Sequence, residues 1–144
     1  MAEKIIGTLA IDLGNTNTVL AFQGEKSSKA ILLDMPSITK SPGIVPTAIW
    51  FEEGNDKEAI IGTEALKMIN EKNKEEHFYS NFKRLIGNQN EEYPRKYLNP
   101  EEAGEKFFKR LWEYIPEIFV IKRLVLTAPI DTYKGYRRWL IGIC

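Results

Sequence analysis

The residues best placed to do chemistry lie early in the chain, in the run Leu9-Ala10-Ile11-Asp12-Leu13-Gly14-Asn15-Thr16-Asn17-Thr18-Val19-Leu20. An apolar segment reaches a carboxylate, Asp12, and turns at Gly14. It crosses the small polar residues Asn15, Thr16, Asn17 and Thr18, then returns as a second apolar segment. A tight turn of this composition leaves backbone N–H groups unpaired and pointing one way, which makes a nest for an anion, usually phosphate. Gly14 allows close backbone approach because it has no Cβ. Asp12 repels a bare phosphate, so its position makes sense if a hydrated divalent cation sits between the two charges. The turn therefore implies a nucleotide with magnesium. As structure alone, the same residues make an ordinary β-hairpin.

Two further segments carry charge in suggestive places. Phe82-Lys83-Arg84-Leu85-Ile86-Gly87 sets two cations among apolar residues and stops on glycine. Lys83 or Arg84 has the reach for a phosphate, although spacing alone favours a pair of surface cations on a short helix. Leu124-Val125-Leu126-Thr127-Ala128-Pro129 is followed by Tyr136-Arg137-Arg138. By spacing, this reads as a strand, a loop and a helix.

Composition narrows the classes. The chain has 144 residues, enough for one domain with a real core. Lys plus Arg and Asp plus Glu are 20 each, and the resulting zero net charge argues against a nucleic-acid binder driven by a basic surface. The single cysteine, Cys144, excludes a disulfide framework, and the single histidine, His77, excludes a His-rich metal site. No apolar run approaches the ~20 residues of a membrane span, and residues 1–4 lead into a strand without a signal-peptide pattern. A reducing cytoplasm is the expected location. The apolar run 139–144 ends without a cap, as an element cut in mid-course does. Its surface is expected to be exposed and to promote association.

The elements that must position these residues alternate strand and helix. Residues 5–12 and 19–23 read as paired strands, and 29–33 as a short third. Residues 36–46 hold three prolines and a glycine and read as a loop. Strands are expected at 47–51 and 59–61, around a polar turn at 52–57. A helix is expected from Gly62 to about Glu71, with Thr63 as its cap. The charge run 71–76 reads as solvated surface and 80–85 as a short helix. Asn99, Pro100, Glu101 and Glu102 form a strong helix start with the pattern of a capping box. Gly104, Phe107, Phe108, Leu111, Trp112 and Ile115 follow at helical spacing and are expected to be core, with Pro116 ending the helix. A strand at 123–128 stops at Pro129. Asp131 or Thr132 then caps a last helix from about Tyr133.

Taken in this order and at these separations, the motifs resemble the ATPase domain of DnaK-type chaperones, the heat-shock protein 70 family. Asp12-Leu13-Gly14-Asn15-Thr16-Asn17-Thr18 is similar to that family's first phosphate loop. Pro46-Thr47-Ala48-Ile49-Trp50-Phe51 is similar to its following strand, and Ile61-Gly62-Thr63-Glu64-Ala65 to its next strand-to-helix turn. Lys83-Arg84-Leu85-Ile86-Gly87 is close to identical to its lysine motif. Asn99-Pro100-Glu101-Glu102 resembles its long-helix start, and residues 124–138 resemble its strand, proline and arginine. The phosphate loop is shared with actin and sugar kinases; the lysine motif narrows the match.

The resemblance implies an α/β fold: the first lobe of an actin-like, ribonuclease H-like ATPase, with a mixed sheet and flanking helices. Residues 1–40 and 118–144 would form its base subdomain, with 41–117 inserted. It implies that Asp12 holds magnesium through water and that Gly14, Asn15, Thr16 and Asn17 hold the phosphates of ATP or ADP. It further implies that Lys83 orients the attacking water and balances charge, and that Pro129 and Arg137 link nucleotide state to client binding. Unfolded client peptides and co-chaperones would be the partners. In the family the second phosphate loop, the adenosine pocket, a catalytic glutamate and the peptide-binding domain lie beyond the position of Cys144. The 144 residues alone are therefore expected not to turn ATP over. Three departures stand out. Asn15 replaces the usual threonine, Ile130-Asp131-Thr132 replaces the expected aromatics, and the stretch between Gly87 and Asn99 is short. Two other readings share some of these features: a pantothenate-kinase-like small-molecule kinase of the same superfamily, and a non-catalytic nucleotide-binding interaction module.

Overall fold

The computed structural model describes residues 3–52, 59–83, 86, 98–127 and 134–143. In chain order these form β1 (Ile5–Leu13), β2 (Asn17–Gly24), β3 (Ile31–Leu32), β4 (Ile44–Pro46), β5 (Ala48–Trp50), β6 (Ile60–Ile61), α1 (Gly62–Lys72), β7 (Phe78–Ser80), α2 (Pro100–Tyr114), β8 (Phe119–Leu126) and α3 (Lys134–Ile143). The architecture is mixed α/β. The larger sheet runs β3-β2-β1-β8, with β4 also on β2; the smaller runs β6-β5-β7.

β1 and β2 form the expected antiparallel hairpin, in register from Gly7↔Gly24 to Leu13↔Thr18. Their side chains alternate, so Leu9, Ile11, Leu13, Leu20 and Phe22 all enter one core. β8 lies parallel to β1 on the other side, which makes the larger sheet mixed. α2 begins as expected. The Asn99 side chain accepts from the Glu102 N–H at 2.8 Å, and the Glu102 carboxylate accepts from the Asn99 N–H at 3.3 Å. Its buried face is Ala103, Gly104, Phe107, Phe108 and Leu111. Residues 71–76 are exposed, in keeping with a solvated charge run. Among the described residues no helix is long and apolar enough to cross a membrane.

Several expectations need correction. Residues 36–46 are not wholly loop. Ile44 and Val45 are β-branched and pair with Val19 and Thr18, while Pro46 sits at the strand end opposite Asn17, where a missing N–H is tolerated. Residues 78–80 form a strand on β5, so Ser80 ends a strand instead of opening the helix expected over 80–85, of which Arg84 and Leu85 lie outside the described residues. Asn81, at φ 55, turns the chain sharply after that strand. Thr63 does not cap α1. Ile61 occupies that position, and the Thr63 hydroxyl donates instead to the Ser37 carbonyl at 3.1 Å, tying the helix start to the preceding loop. Trp112 is 47% exposed. With Ile11, Phe108, Leu124, Leu126 and Ile143 it lines an open cleft of about 430 Å³.

The terminal apolar run is divided. Trp139 donates its indole N–H to the Glu101 carbonyl at 3.0 Å, and Leu140 is buried, whereas Ile141 is 73% exposed. The proposed caps Asp131 and Thr132, together with Cys144, lie outside the described residues.

Candidate functional site

The C-terminal end of β1, a central strand of the larger sheet, carries Asp12, and the parallel strand β8 ends beside it. Ile11 pairs with Leu126, and the next residue, Thr127, donates its N–H to the Ile11 carbonyl at 3.3 Å. Its hydroxyl donates to Asp12 Oδ1 at 2.6 Å. A short bond to a carboxylate is charge-assisted, so Thr127 fixes the direction of the Asp12 side chain.

The turn after Asp12 is as tight as its composition suggests. A Cβ on Gly14 would stand 2.2 Å from the Asn17 carbonyl oxygen, a backbone atom that has little room to move. The far side of the turn is anchored to the strand pair below. The Thr47 N–H donates to the Thr16 carbonyl at 2.9 Å. The buried hydroxyls of Thr18 and Thr47 share a hydrogen bond of 2.7 Å. Asn15 Nδ2 donates to Asn81 Oδ1 at 3.0 Å, which draws the segment after β7 towards the turn. Asn15 Oδ1 is buried and has no partner among the described residues.

That segment carries Lys83. The side chain is half-buried, and its Nζ lies 5.8 Å from the ring centroid of Tyr136, on α3. Tyr136 is 1% exposed. Burial, and secondarily the charge of Asp12, pushes its phenol up to about 12. Tyr136 thus links α3 to the segment that carries Lys83, and Asn81 ties that segment to the β1–β2 turn. Arg137 is exposed on α3, and among the described residues no hydrogen bond or ion pair joins it to Asp12. Pro129, Arg84, Leu85 and Gly87 lie outside the described residues. Three contributors were not singled out from the sequence as site residues. Thr127 had a signal, since it is the first polar residue after an apolar strand parallel to β1. Asn81 had none, and Tyr136 stands in the segment 136–138 that the sequence marked for its arginines.

No group of three or more His, Cys, Asp or Glu side chains able to hold a metal exists among the described residues. A divalent cation at this turn would have Asp12 as its carboxylate and would keep much of its water. His77 plays a structural part: its Nδ1 is 3.2 Å from the Phe51 carbonyl, and its ring packs on Trp50 at 5.4 Å.

The Tyr136 phenol has a measurable consequence. Burial in the fold pushes it from the ordinary 10.0 up to about 12. The stability linked to it is intact below about pH 10 and falls as pH rises from there towards 12. Raising pH from about 8 to about 12 should cost about 1–2 kcal/mol through this group, allowing for solvent screening. Above about pH 10 the urea midpoint of the parent should therefore fall further than that of Tyr136→Phe, which has no phenol to ionise. Parallel pH profiles for the two proteins would show that the phenol is not held neutral.

No protein-family model matches the chain, and no curated protein shows significant similarity to it.

Proposed function

We propose that this chain supplies one side of an ATP site in a DnaK-type ATPase of the actin-like, ribonuclease H-like fold, and that the whole protein is an ATP-dependent cytoplasmic chaperone. The observation that carries the reading is the Gly14 turn at the end of β1, where Thr127 aligns Asp12 and Asn81 ties the segment that carries Lys83 to Asn15. The residues fit the group. The turn at Gly14 admits no Cβ, the carboxylate of Asp12 stands where hydrated magnesium needs one, and the unpartnered Asn15 Oδ1 can accept a hydrogen bond from the water shell of the cation.

In this reading Gly14, Asn15, Thr16 and Asn17 hold the phosphates of ATP or ADP. Asp12, aligned by Thr127, orients the water shell of the cation. Lys83 directs the attacking water and balances charge at the terminal phosphate. Magnesium, held by Asp12 through its water shell, would supply neutralisation of the charge that develops on the transferred phosphoryl group. Phosphoryl transfer asks the protein mainly for position and electrostatics, which this arrangement can supply in part. A second phosphate loop would complete the clamp, and client peptides and co-chaperones would be partners of the complete protein. Pro129 and Arg137 would belong to its linkage between nucleotide and client.

Calorimetric titration with ATP tests the reading. Binding should require magnesium and should weaken about 10–100-fold in Asp12→Asn, the loss expected when a charged hydrogen-bond acceptor is removed. Equal affinity in the two proteins, or binding indifferent to a chelator, would remove Asp12 from the site. A phosphorylated small-molecule product, found when pantothenate-like substrates are added, would favour the kinase reading.

A further inference from the structure

Three observations converge on Tyr136. Its side chain is 1% exposed, yet its hydroxyl has no hydrogen-bond partner among the described residues. Buried hydroxyls are nearly always paired, so an orphan of this kind calls for a ligand or an ordered water. Its ring lies within cation–π distance of the Lys83 ammonium. It is also braced from behind. Trp139 packs on it at 5.6 Å, and Trp139 is in turn held by the Glu101 carbonyl and set against Gly104 of α2.

The chemistry of this seat differs from that of an ion pair. A carboxylate beside Lys83 would neutralise it and compete with an incoming anion. Among the described residues no carboxylate forms a salt bridge with Lys83. An aromatic face attracts the ammonium group through its quadrupole and leaves the charge uncompensated. The ring thus positions the cation, and among the described residues no ion pair occupies it. A phenol kept neutral beside it can donate one hydrogen bond in the same direction.

We propose that Tyr136 is the positioning residue for Lys83: its ring seats the ammonium group beside the Asp12 turn, and its hydroxyl donates to a phosphate oxygen bound there. The inference deepens the nucleotide reading above and rests on it for the identity of the anion. It makes α3 part of the phosphate site, although nothing in the sequence of α3 resembles a phosphate motif.

The test is NMR of the chain with labelled lysines, the Lys83 signals being assigned by their disappearance in Lys83→Arg. In the parent protein the ε-methylene protons of Lys83 should lie upfield of ordinary lysine values through the ring current of Tyr136. The shift should persist in Tyr136→Phe and vanish in Tyr136→Leu. Titration with inorganic phosphate, and separately with ATP and magnesium, should move the Lys83 signals. The phosphate affinity read from them should fall about 2–10-fold in Tyr136→Phe, the worth of one hydrogen bond.

Ordinary Lys83 shifts in the parent protein overturn the seat, whether or not the Tyr136 variants fold. Equal phosphate affinity in the parent and Tyr136→Phe overturns the role of the hydroxyl. If the upfield shift is present but neither phosphate nor ATP moves it, the seat stands, and the hydroxyl role falls with the nucleotide reading. If ATP binds while Lys83 stays at ordinary values, the seat alone fails.

Discussion

Lys83→Ala is expected to slow ATP hydrolysis about 10²–10³-fold while ATP still binds, because loss of one preorganised donor acts on the transition state more than on the ground state. The measurement is single-turnover hydrolysis with protein in excess, in a chain that joins these residues to the second phosphate loop the family resemblance implies. The competing account makes Lys83 a surface cation whose removal shifts stability by about 0.5 kcal/mol or less. The structure weakens that account, since Lys83 is half-buried over Tyr136. Arg84→Ala, adjacent in sequence and equally charged, is the control. If both variants hydrolyse ATP as fast as the parent, Lys83 has no catalytic part and its motif is structural.

Gly14→Ala is expected to open the β1–β2 turn and to lower ATP affinity at least about 10-fold. The added Cβ would stand 2.2 Å from the Asn17 carbonyl oxygen, so the backbone itself must shift. Forced overpacking of this kind costs about 1–3 kcal/mol, to be read as a lower urea midpoint. Gly142→Ala provides the contrast. It lies in α3, and a Cβ there meets nothing within 4 Å. Relief of glycine's backbone freedom should make that variant more stable, by about 0.5–1 kcal/mol. A Gly14→Ala protein that matches the parent in both midpoint and ATP binding would show that the turn does not need glycine.

Where a segment carries its own structural instructions, the sequence was enough. Alternating apolar residues and a glycine turn determine the β1–β2 hairpin, because a period of two and a local reversal need no distant partner. Asn99, Pro100 and Glu102 determine the start of α2 in the same way, since a capping box closes within one turn of helix. Asp12 and Gly14 could be singled out because the carboxylate and the tight turn are neighbours in the chain.

Tertiary structure decided the rest. β4 and β7 are three residues each, too short for periodicity to show. They are strands because β2 and β5 offer them hydrogen bonds. Thr63 has the composition of a cap, yet the Ser37 carbonyl takes its hydroxyl. Trp112 has helical spacing for the core but faces an open cleft. The meeting of Lys83 with Tyr136, of Asn15 with Asn81 and of Asp12 with Thr127 could not be read from spacing, for each pair joins residues far apart along the chain. What places them together is the parallel pairing of β8 with β1, and the packing of α3 through Trp139 onto the small residue Gly104 of α2. The sequence alone determined the chemical character of the turn. Long-range packing decided which hydroxyl aligns Asp12 and which ring seats Lys83, because the energy that orients them comes from contacts between elements rather than within one.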